Sequence, residues 1–182
     1  MPPATDLNTL ETDRITLRPQ RVSVAAVYRQ LWTERDLRVP QHRQINLEGR
    51  PTEEDIATQI RDECQASRPG LLAVERKSTG DVIGYCGLVF NGNGSNDEPE
   101  LAFELLRAIH NKGYATEAGW AVVHWAGEAG YRRLWATVLG WNVASRRVLE
   151  KLGFRNTGRV SPETVRGRSL LTILEFRSNR PR

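Results

Sequence analysis

The spacing of apolar residues predicts one strand followed by two helices in the first third of the chain. Ile15 and Leu17 alternate with polar residues, which is typical of a strand. Ser23 is a predicted N-cap, because apolar residues follow it at helical spacing. Thr52 is the predicted cap of a second helix, with acidic residues in its first turn. The apolar stripe of this second helix is expected to contain Ile56, Ile60 and Cys64.

The pattern then changes to strands and back to helices. Three predicted strands occupy 71–75, 82–90 and 100–106, and turn-rich segments between them favour antiparallel pairing. Helical spacing returns over about 114–129 and again over 142–152. The buried stripe of the second of these helices is predicted to be Ala144, Val148 and Leu152. The remaining predicted strands are 133–139, 154–158 and 170–176.

This order of elements indicates a mixed α/β, or α+β, fold. Antiparallel strands leading into a βαβ crossover are typical of such a sheet. The length of 182 residues predicts one domain, with a core from about 10 to 177 and short flexible termini. No apolar run reaches the roughly 18 residues that a membrane-spanning helix needs. The N-terminus lacks the pattern of a secretory signal and the chain has only two cysteines, so we expect a cytoplasmic protein.

Basic charge is concentrated at the C-terminal end. The net charge is +4, yet residues 155–182 carry seven arginines against two glutamates. Such a tail can attract nucleic acid. Nucleic acid is nevertheless an unlikely partner, because no aromatic residues alternate with these arginines and the whole chain prefers Arg to Lys. A solvated, arginine-rich surface is the simpler interpretation.

The first segment with candidate chemistry is 105–118. A predicted strand ends, a short loop carries Gly113, and a long helix begins at once. Free N–H groups and the positive end of the dipole make a helix N-terminus suited to phosphate. Gly113 and Ala115 permit close approach, and Lys112 adds a cation. An ordinary strand-to-helix turn is the alternative, since neither the P-loop nor the Rossmann glycine pattern is present.

The second segment is 141–154. Asn142 is a predicted N-cap, Ser145 lies in the first helical turn, and Gly153 ends the helix. Capping alone would explain Asn142. Together, however, the two segments resemble motifs A and B of the GNAT superfamily of N-acetyltransferases. The resemblance rests on Gly113-Tyr114-Ala115-Thr116-Glu117-Ala118 and on Asn142-x-x-Ser145 followed by Lys151-Leu152-Gly153-Phe154.

The resemblance extends from about residue 10 to residue 176 and is strongest to the RimJ/RimL-like branch, the ribosomal-protein N-terminal acetyltransferases. The segments 10–19 and 83–88 are similar to the first and third strands of that branch. It implies a twisted, mostly antiparallel sheet of about seven strands with a splayed parallel pair, flanked by about four helices. It also implies acetyl-CoA as cosubstrate, no metal, and a monomer or homodimer.

The same resemblance implies where the cosubstrate binds. The pantetheine arm would lie along the strand end at Leu105 and Arg107, with Asn142 on its far side. Arg146 or Arg147 would reach a phosphate or the adenine. The loop opens with His110, where the family usually has Gln or Arg, so affinity is expected to depend on pH. The backbone N–H groups expected to hold the pyrophosphate are those of Asn111, Lys112, Gly113, Tyr114, Ala115 and Thr116.

The strand before the loop suggests the catalytic groups. Glu100 and Glu104 share one face of it at a period of two residues. Glu100 matches the acidic position of the family and is the expected base, while Glu104 would orient a water or bind the amine. A wet sheet surface would explain both carboxylates without chemistry. Leu149 stands where many members have a tyrosine acid, so Ser145 is the expected proton donor, or only a helix cap.

The resemblance also implies that the acceptor is a primary amine, either a protein N-terminus or a small molecule. A site that lacks the tyrosine acid suits an α-amine better than a lysine side chain. The pKa of an α-amine is about 8, which leaves part of it neutral at physiological pH, whereas the pKa of lysine is about 10.4. Recognition is expected in the irregular segments 33–50, 91–99 and 161–169, and Trp32, His42 and Arg43 are candidates to line a cleft. The alternative function is a non-catalytic acyl-CoA-binding or regulatory module, which Leu149 and His110 would suit.

Overall fold

Eight strands and four α-helices form from the residues that the computed structural model describes, which are 7–66, 68–90, 97–162 and 167–176. The predicted strand at 133–139 is confirmed, and the other predicted helices and strands lie within a few residues of their expected bounds. The elements are β1 (Leu10–Glu11), β2 (Ile15–Pro19), α1 (Ala25–Glu34), α2 (Glu53–Cys64), β3 (Leu71–Arg76), β4 (Val82–Val89), β5 (Glu100–Leu105), α3 (Tyr114–Glu128), β6 (Arg133–Leu139), α4 (Val143–Lys151), β7 (Arg155–Val160) and β8 (Ser169–Glu175).

The strands form one sheet in the order β1-β2-β3-β4-β5-β6-β8-β7. Every neighbouring pair is antiparallel except β5 and β6, which are parallel. The expected fold class is therefore confirmed, with one strand more than the predicted seven. The additional strand is β1, whose two residues pair with Leu17 and Thr16. Two residues are too few to show a periodic pattern.

The helices cover opposite faces of the sheet. On β3, Leu72 and Val74 belong to the core formed with α3 and α4, while Ala73 between them packs with α1 and α2. This alternation follows from the two-residue period of a strand. Val122 of α3 is fully buried in the first core, and Tyr28 of α1 lies in the second. No helix among the described residues is long and apolar enough to cross a membrane.

The predicted N-caps have different outcomes. Thr52 forms a capping box with Asp55, because each side chain bonds the backbone N–H of the other. Ser23 caps nothing: a 3₁₀ turn at Val22–Val24 leads directly into α1, which has no side-chain cap. The short turn satisfies backbone groups there instead. On α2, Ile56 and Ile60 are buried as predicted, but Cys64 at the end of the helix is exposed.

The buried face of α4 is rotated from the predicted one. Leu149 and Leu152 are buried, whereas Val148 is half-buried and Ala144 is exposed. Burying the two leucines removes more apolar surface from water than burying the alanine would. Leu152 also contacts α3 so closely that a Cβ on Gly119 would lie 2.5 Å from its Cδ1. The packing of α4 on α3 therefore determines which face is buried.

Candidate active site

The parallel strands β5 and β6 separate almost as soon as they meet. Their only registered pair is Glu100 with Trp135, next to the hydrogen bond from the Trp135 N–H to the Pro99 carbonyl at 2.9 Å. Past this pair, β5 continues to Leu105 with β4 as its only strand partner among the described residues. The result is a gap in the middle of the sheet, which is the predicted splayed pair.

The backbone of β5 presents polar groups to this gap. In an antiparallel ladder, successive residues direct their N–H and C=O groups to alternate sides. The Leu106 N–H donates to the Ile83 carbonyl of β4 at 2.9 Å. The backbone groups of Phe103 and Leu105 therefore face the gap. An extended chain lying there would find the hydrogen-bonding pattern of a strand.

The β5–α3 loop, residues 106–113, brings the start of α3 to the end of this gap. Asn111 and Gly113 have positive φ angles of 61° and 84°, a conformation that asparagine and glycine adopt at least cost. The first N–H groups of a helix have no intrahelical acceptor. Among the described residues, none provides a backbone acceptor for the N–H groups of residues 111–116. The loop thus offers a run of free donors at the positive end of α3.

Three residues of the predicted cosubstrate site form hydrogen bonds with other parts of the chain. His110 Nε2 donates to the Leu105 carbonyl at 2.8 Å, since a carbonyl only accepts. The Lys112 ammonium donates to the Ala108 carbonyl at 3.0 Å. Arg107 is held by Glu34 at the end of α1, through its backbone N–H at 2.7 Å and its Nη2 at 2.5 Å. Backbone groups therefore dominate the donor set of this loop.

Arg14, which the sequence pattern did not single out, lies against the same loop. Its Nη1 donates to the Lys112 carbonyl at 3.0 Å, and its guanidinium stacks on the Tyr114 ring at 4.3 Å. Its Nε and Nη2 hold the Glu117 carboxylate at 2.7 and 2.6 Å, and Thr12 Oγ1 donates to Glu117 at 2.5 Å. Burial alone raises the pKa of Glu117, but these bonds outweigh burial, so the pKa lies below its ordinary value.

The second motif lies at the start of α4. Asn142 Oδ1 accepts from the Ser145 N–H at 3.1 Å, so the predicted cap is confirmed. Ser145 is half-buried, and Arg147 is exposed. Arg146 donates to the Gly140 carbonyl at 3.1 Å, which directs it back onto the β6–α4 turn.

The two carboxylates of β5 have different surroundings. Arg35 holds Glu104 through two hydrogen bonds of 2.8 and 2.6 Å, and the Tyr85 hydroxyl donates to Glu104 at 2.8 Å. Only 8% of the Arg35 side chain is exposed. Burial and the charge of Glu104 raise the pKa of Tyr85 well above its ordinary value, so the phenol stays protonated. Glu100 instead accepts from Thr137 Oγ1 of β6 at 3.1 Å, across the start of the gap.

Arg35 also organises the segment after α1 that was expected to recognise the acceptor. Its guanidinium stacks on Trp32 at 3.9 Å and donates to the Arg43 carbonyl at 3.1 Å. Arg38 from the same segment stacks on Trp141 at 4.0 Å, beside the start of α4. Of the other expected recognition segments, residues 91–96 and 163–166 lie outside the described residues.

Comparisons with known proteins identify the family. Residues 14–155 match the model of the acetyltransferase (GNAT) domain. The chain is 30% identical over 177 residues to the uncharacterized N-acetyltransferase p20 of Bacillus licheniformis, covering 93% of this chain and 95% of that protein. The chain therefore belongs to the GNAT acetyltransferase family, and it is an acetyltransferase that depends on acetyl-CoA.

Solved structures support the fold. A GNAT-family acetyltransferase from Bacillus anthracis matches with a TM-score of 0.75 at 20% identity, over 92% of this chain and 98% of that one. The microcin C7 self-immunity acetyltransferase MccE, solved with acetyl-CoA and AMP, matches at 0.70 with 17% identity, over 91% and 94%. The ribosomal-protein-S5-alanine acetyltransferase of Vibrio fischeri matches at 0.67 with 17% identity, over 95% and 99%.

We predict that Arg35→Gln lowers the free energy of unfolding by about 3 kcal/mol, because it leaves the half-buried Glu104 without its cation. Adding Glu104→Gln should recover part of this loss, since the uncompensated charge is then gone. Chemical denaturation measures both effects. Arg61→Gln, which removes an arginine from an exposed pair with Glu54, is the control and should change the unfolding midpoint little. If Arg35→Gln and Arg61→Gln lower the free energy of unfolding equally, the Arg35–Glu104 pair has no special stabilising role and the prediction is wrong.

Proposed function

We propose that the chain transfers the acetyl group of acetyl-CoA directly to a primary amine at the gap between β5 and β6. The observation that carries this proposal is the run of free N–H donors at residues 111–116, next to the unpaired edge of β5. Donors at a helix N-terminus suit a pyrophosphate, and a strand edge suits an amide-containing arm. The structural neighbour MccE was solved with acetyl-CoA, which is consistent with this arrangement.

The residues of the gap fit such a ligand. The backbone groups of Phe103 and Leu105 are suited to the amides of the pantetheine arm, with Asn142 beyond the gap. Because His110 bonds the Leu105 carbonyl, the arm has to share or replace that bond. Gly113 has no side chain that would shield its backbone from a ligand. A Cβ at this position would make a tight contact of 3.3 Å with Arg14 Nη2. Exposed Arg147 is suited to a phosphate or the adenine.

Acetyl-CoA supplies an activated acetyl thioester, and the chain supplies the proton transfers. Glu100 is the proposed base: its carboxylate takes a proton from the ammonium group of the acceptor, directly or through a water, and the neutral amine then attacks the thioester carbonyl. The new C–N bond replaces the C–S bond, and CoA leaves as the thiolate. Glu104 suits this role less, because Arg35 and Tyr85 occupy its oxygens. The role that we propose for Glu104 is to bind the ammonium or to orient the water. The Ser145 hydroxyl is the proposed proton donor to the departing sulfur, since Leu149 is buried and carries no proton.

The proposed acceptor is an amine with a low pKa, such as a protein N-terminus or a small-molecule amine. An α-amine at about pH 7.5 is partly neutral, so a single weak base suffices. The RimJ/RimL-like assignment would make the acceptor a protein N-terminus, and the fold is shared with the ribosomal-protein-S5-alanine acetyltransferase of Vibrio fischeri. The same fold is shared with MccE, whose structure contains AMP. A panel of N-terminal peptides and small amines, scored by release of free thiol, separates the two acceptor classes.

Replacing Gly113 tests the proposed phosphate site. Gly113→Ala should weaken acetyl-CoA binding about tenfold, which is about 1.4 kcal/mol, because its positive φ angle becomes strained and the loop donors move. Calorimetric titration with acetyl-CoA measures the dissociation constant. Gly80→Ala is the matched control, since Gly80 has a similar φ of 72° and open space around it in the β3–β4 turn. If both variants bind acetyl-CoA as the wild type does, the site lies elsewhere.

Replacing Glu100 tests the proposed base. Glu100→Gln should lower kcat about 100-fold or more while leaving the dissociation constant of acetyl-CoA unchanged, because the amide accepts no proton. Raising the pH toward the pKa of the amine should reduce the defect, since more of the amine is then neutral. Glu104→Gln, measured alongside, should keep more activity. If Glu104→Gln lowers kcat more than Glu100→Gln does, the base is Glu104. If the wild type binds acetyl-CoA without turnover, the non-catalytic alternative is favoured.

A further inference from the structure

We propose that Arg14 is a positioning residue that neutralises Glu117, so that the first turn of α3 can accept the phosphates of acetyl-CoA. This inference rests on the proposed phosphate site at residues 111–116. Arg14 lies in the turn between β1 and β2, far along the chain from α3. Its positive charge allows the acidic Glu117 to lie where a polyanion is expected to bind.

Glu117 is the acidic residue in the first turn of α3. A carboxylate there stabilises the helix by interacting with the positive end of its dipole. The same negative charge repels a pyrophosphate and cancels part of the field that would attract it. An unpaired Glu117 would therefore weaken the site that the free N–H groups create.

Glu117 has a structural role that accounts for its presence. Its Oε1 accepts hydrogen bonds from Thr12 Oγ1 at 2.5 Å and from the Arg14 backbone N–H at 3.0 Å. These bonds attach the β1–β2 turn to the start of α3. Two N–H groups of the Arg14 guanidinium meet Oε2, while Oε1 accepts the other two bonds. A carboxylate accepts at both positions, whereas a glutamine would place an NH2 donor at one of them and keep only part of the contact.

Arg14 is the cation best placed to offset this charge. Its guanidinium bonds Glu117 with two nitrogens and the Lys112 carbonyl with the third. The Lys112 ammonium itself turns back to the Ala108 carbonyl. Arg76 is engaged in a two-point bond with Asp81. Arg14 therefore both orients the loop and removes the net negative charge from the first turn.

Three variants test the inference by calorimetric titration with acetyl-CoA, at an ionic strength of about 0.02 M and again at about 0.5 M. At low salt, Arg14→Gln should weaken binding about tenfold, whereas Arg14→Lys should stay within about threefold of the wild type. Arg14→Gln combined with Glu117→Gln should recover most of the loss. At high salt the defect of Arg14→Gln should shrink, because screening weakens the repulsion. A purely structural contribution of Arg14 would not depend on salt in this way.

The controls keep the two proposals separate. Arg155→Gln makes the same change in net charge at an exposed pair with Glu175 and should leave binding within about twofold at low salt. The inference is overturned if the double variant binds as weakly as Arg14→Gln, or if Arg14→Gln binds as the wild type does while Gly113→Ala binds weakly. If Gly113→Ala also binds as the wild type does, the phosphate site itself is wrong. Arg14→Lys and the melting temperature of each variant identify any loss caused by unfolding.

Discussion

The separation of β5 from β6 is the constraint on which the rest of the site depends. Backbone N–H and C=O groups in the middle of a sheet need hydrogen-bond partners, because leaving them unpaired costs free energy. The two strands share one registered pair, at Glu100 and Trp135. One of the carbonyl groups left beyond that pair, that of Leu105, is satisfied by His110. The gap therefore leaves backbone groups of β5 open to an extended ligand, and the amides of the acetyl-CoA arm are the partners that we propose.

Two ion pairs and a backbone hydrogen bond connect the elements around β5 and the start of α3. Arg35 connects the segment after α1 to Glu104 of β5, and Glu34 at the end of α1 holds the backbone of Arg107. Arg14 and Glu117 connect the first turn of the chain to α3. These contacts connect the end of α1 and the segment after it to β5 and the β5–α3 loop, and the β1–β2 turn to α3. Glu100 is the base that we propose, and its carboxylate accepts a hydrogen bond from the Thr137 hydroxyl of β6.

Local pattern predicted those parts of the fold that local physics determines. Alternation at Ile15 and Leu17, the cap at Thr52 and the N-cap at Asn142 all involve neighbours within a few residues. The pairings that build the site connect distant positions, such as Arg14 with Glu117 and Arg35 with Glu104. No periodic signal marks such arginines in a chain that uses arginine throughout. The rotation of α4, which buries Leu149, also depends on contact with α3 and not on the spacing within the helix.

The most direct test of the site is a backbone amide NMR titration with acetyl-CoA. The account predicts that the largest shift changes occur at the amides of residues 111–116 and of Phe103 and Leu105, which carry the free donors. It also predicts slower hydrogen exchange at these amides when acetyl-CoA is bound. Changes concentrated on α1 and α2, with the amides of the β5–α3 loop unaffected, would contradict the central claim.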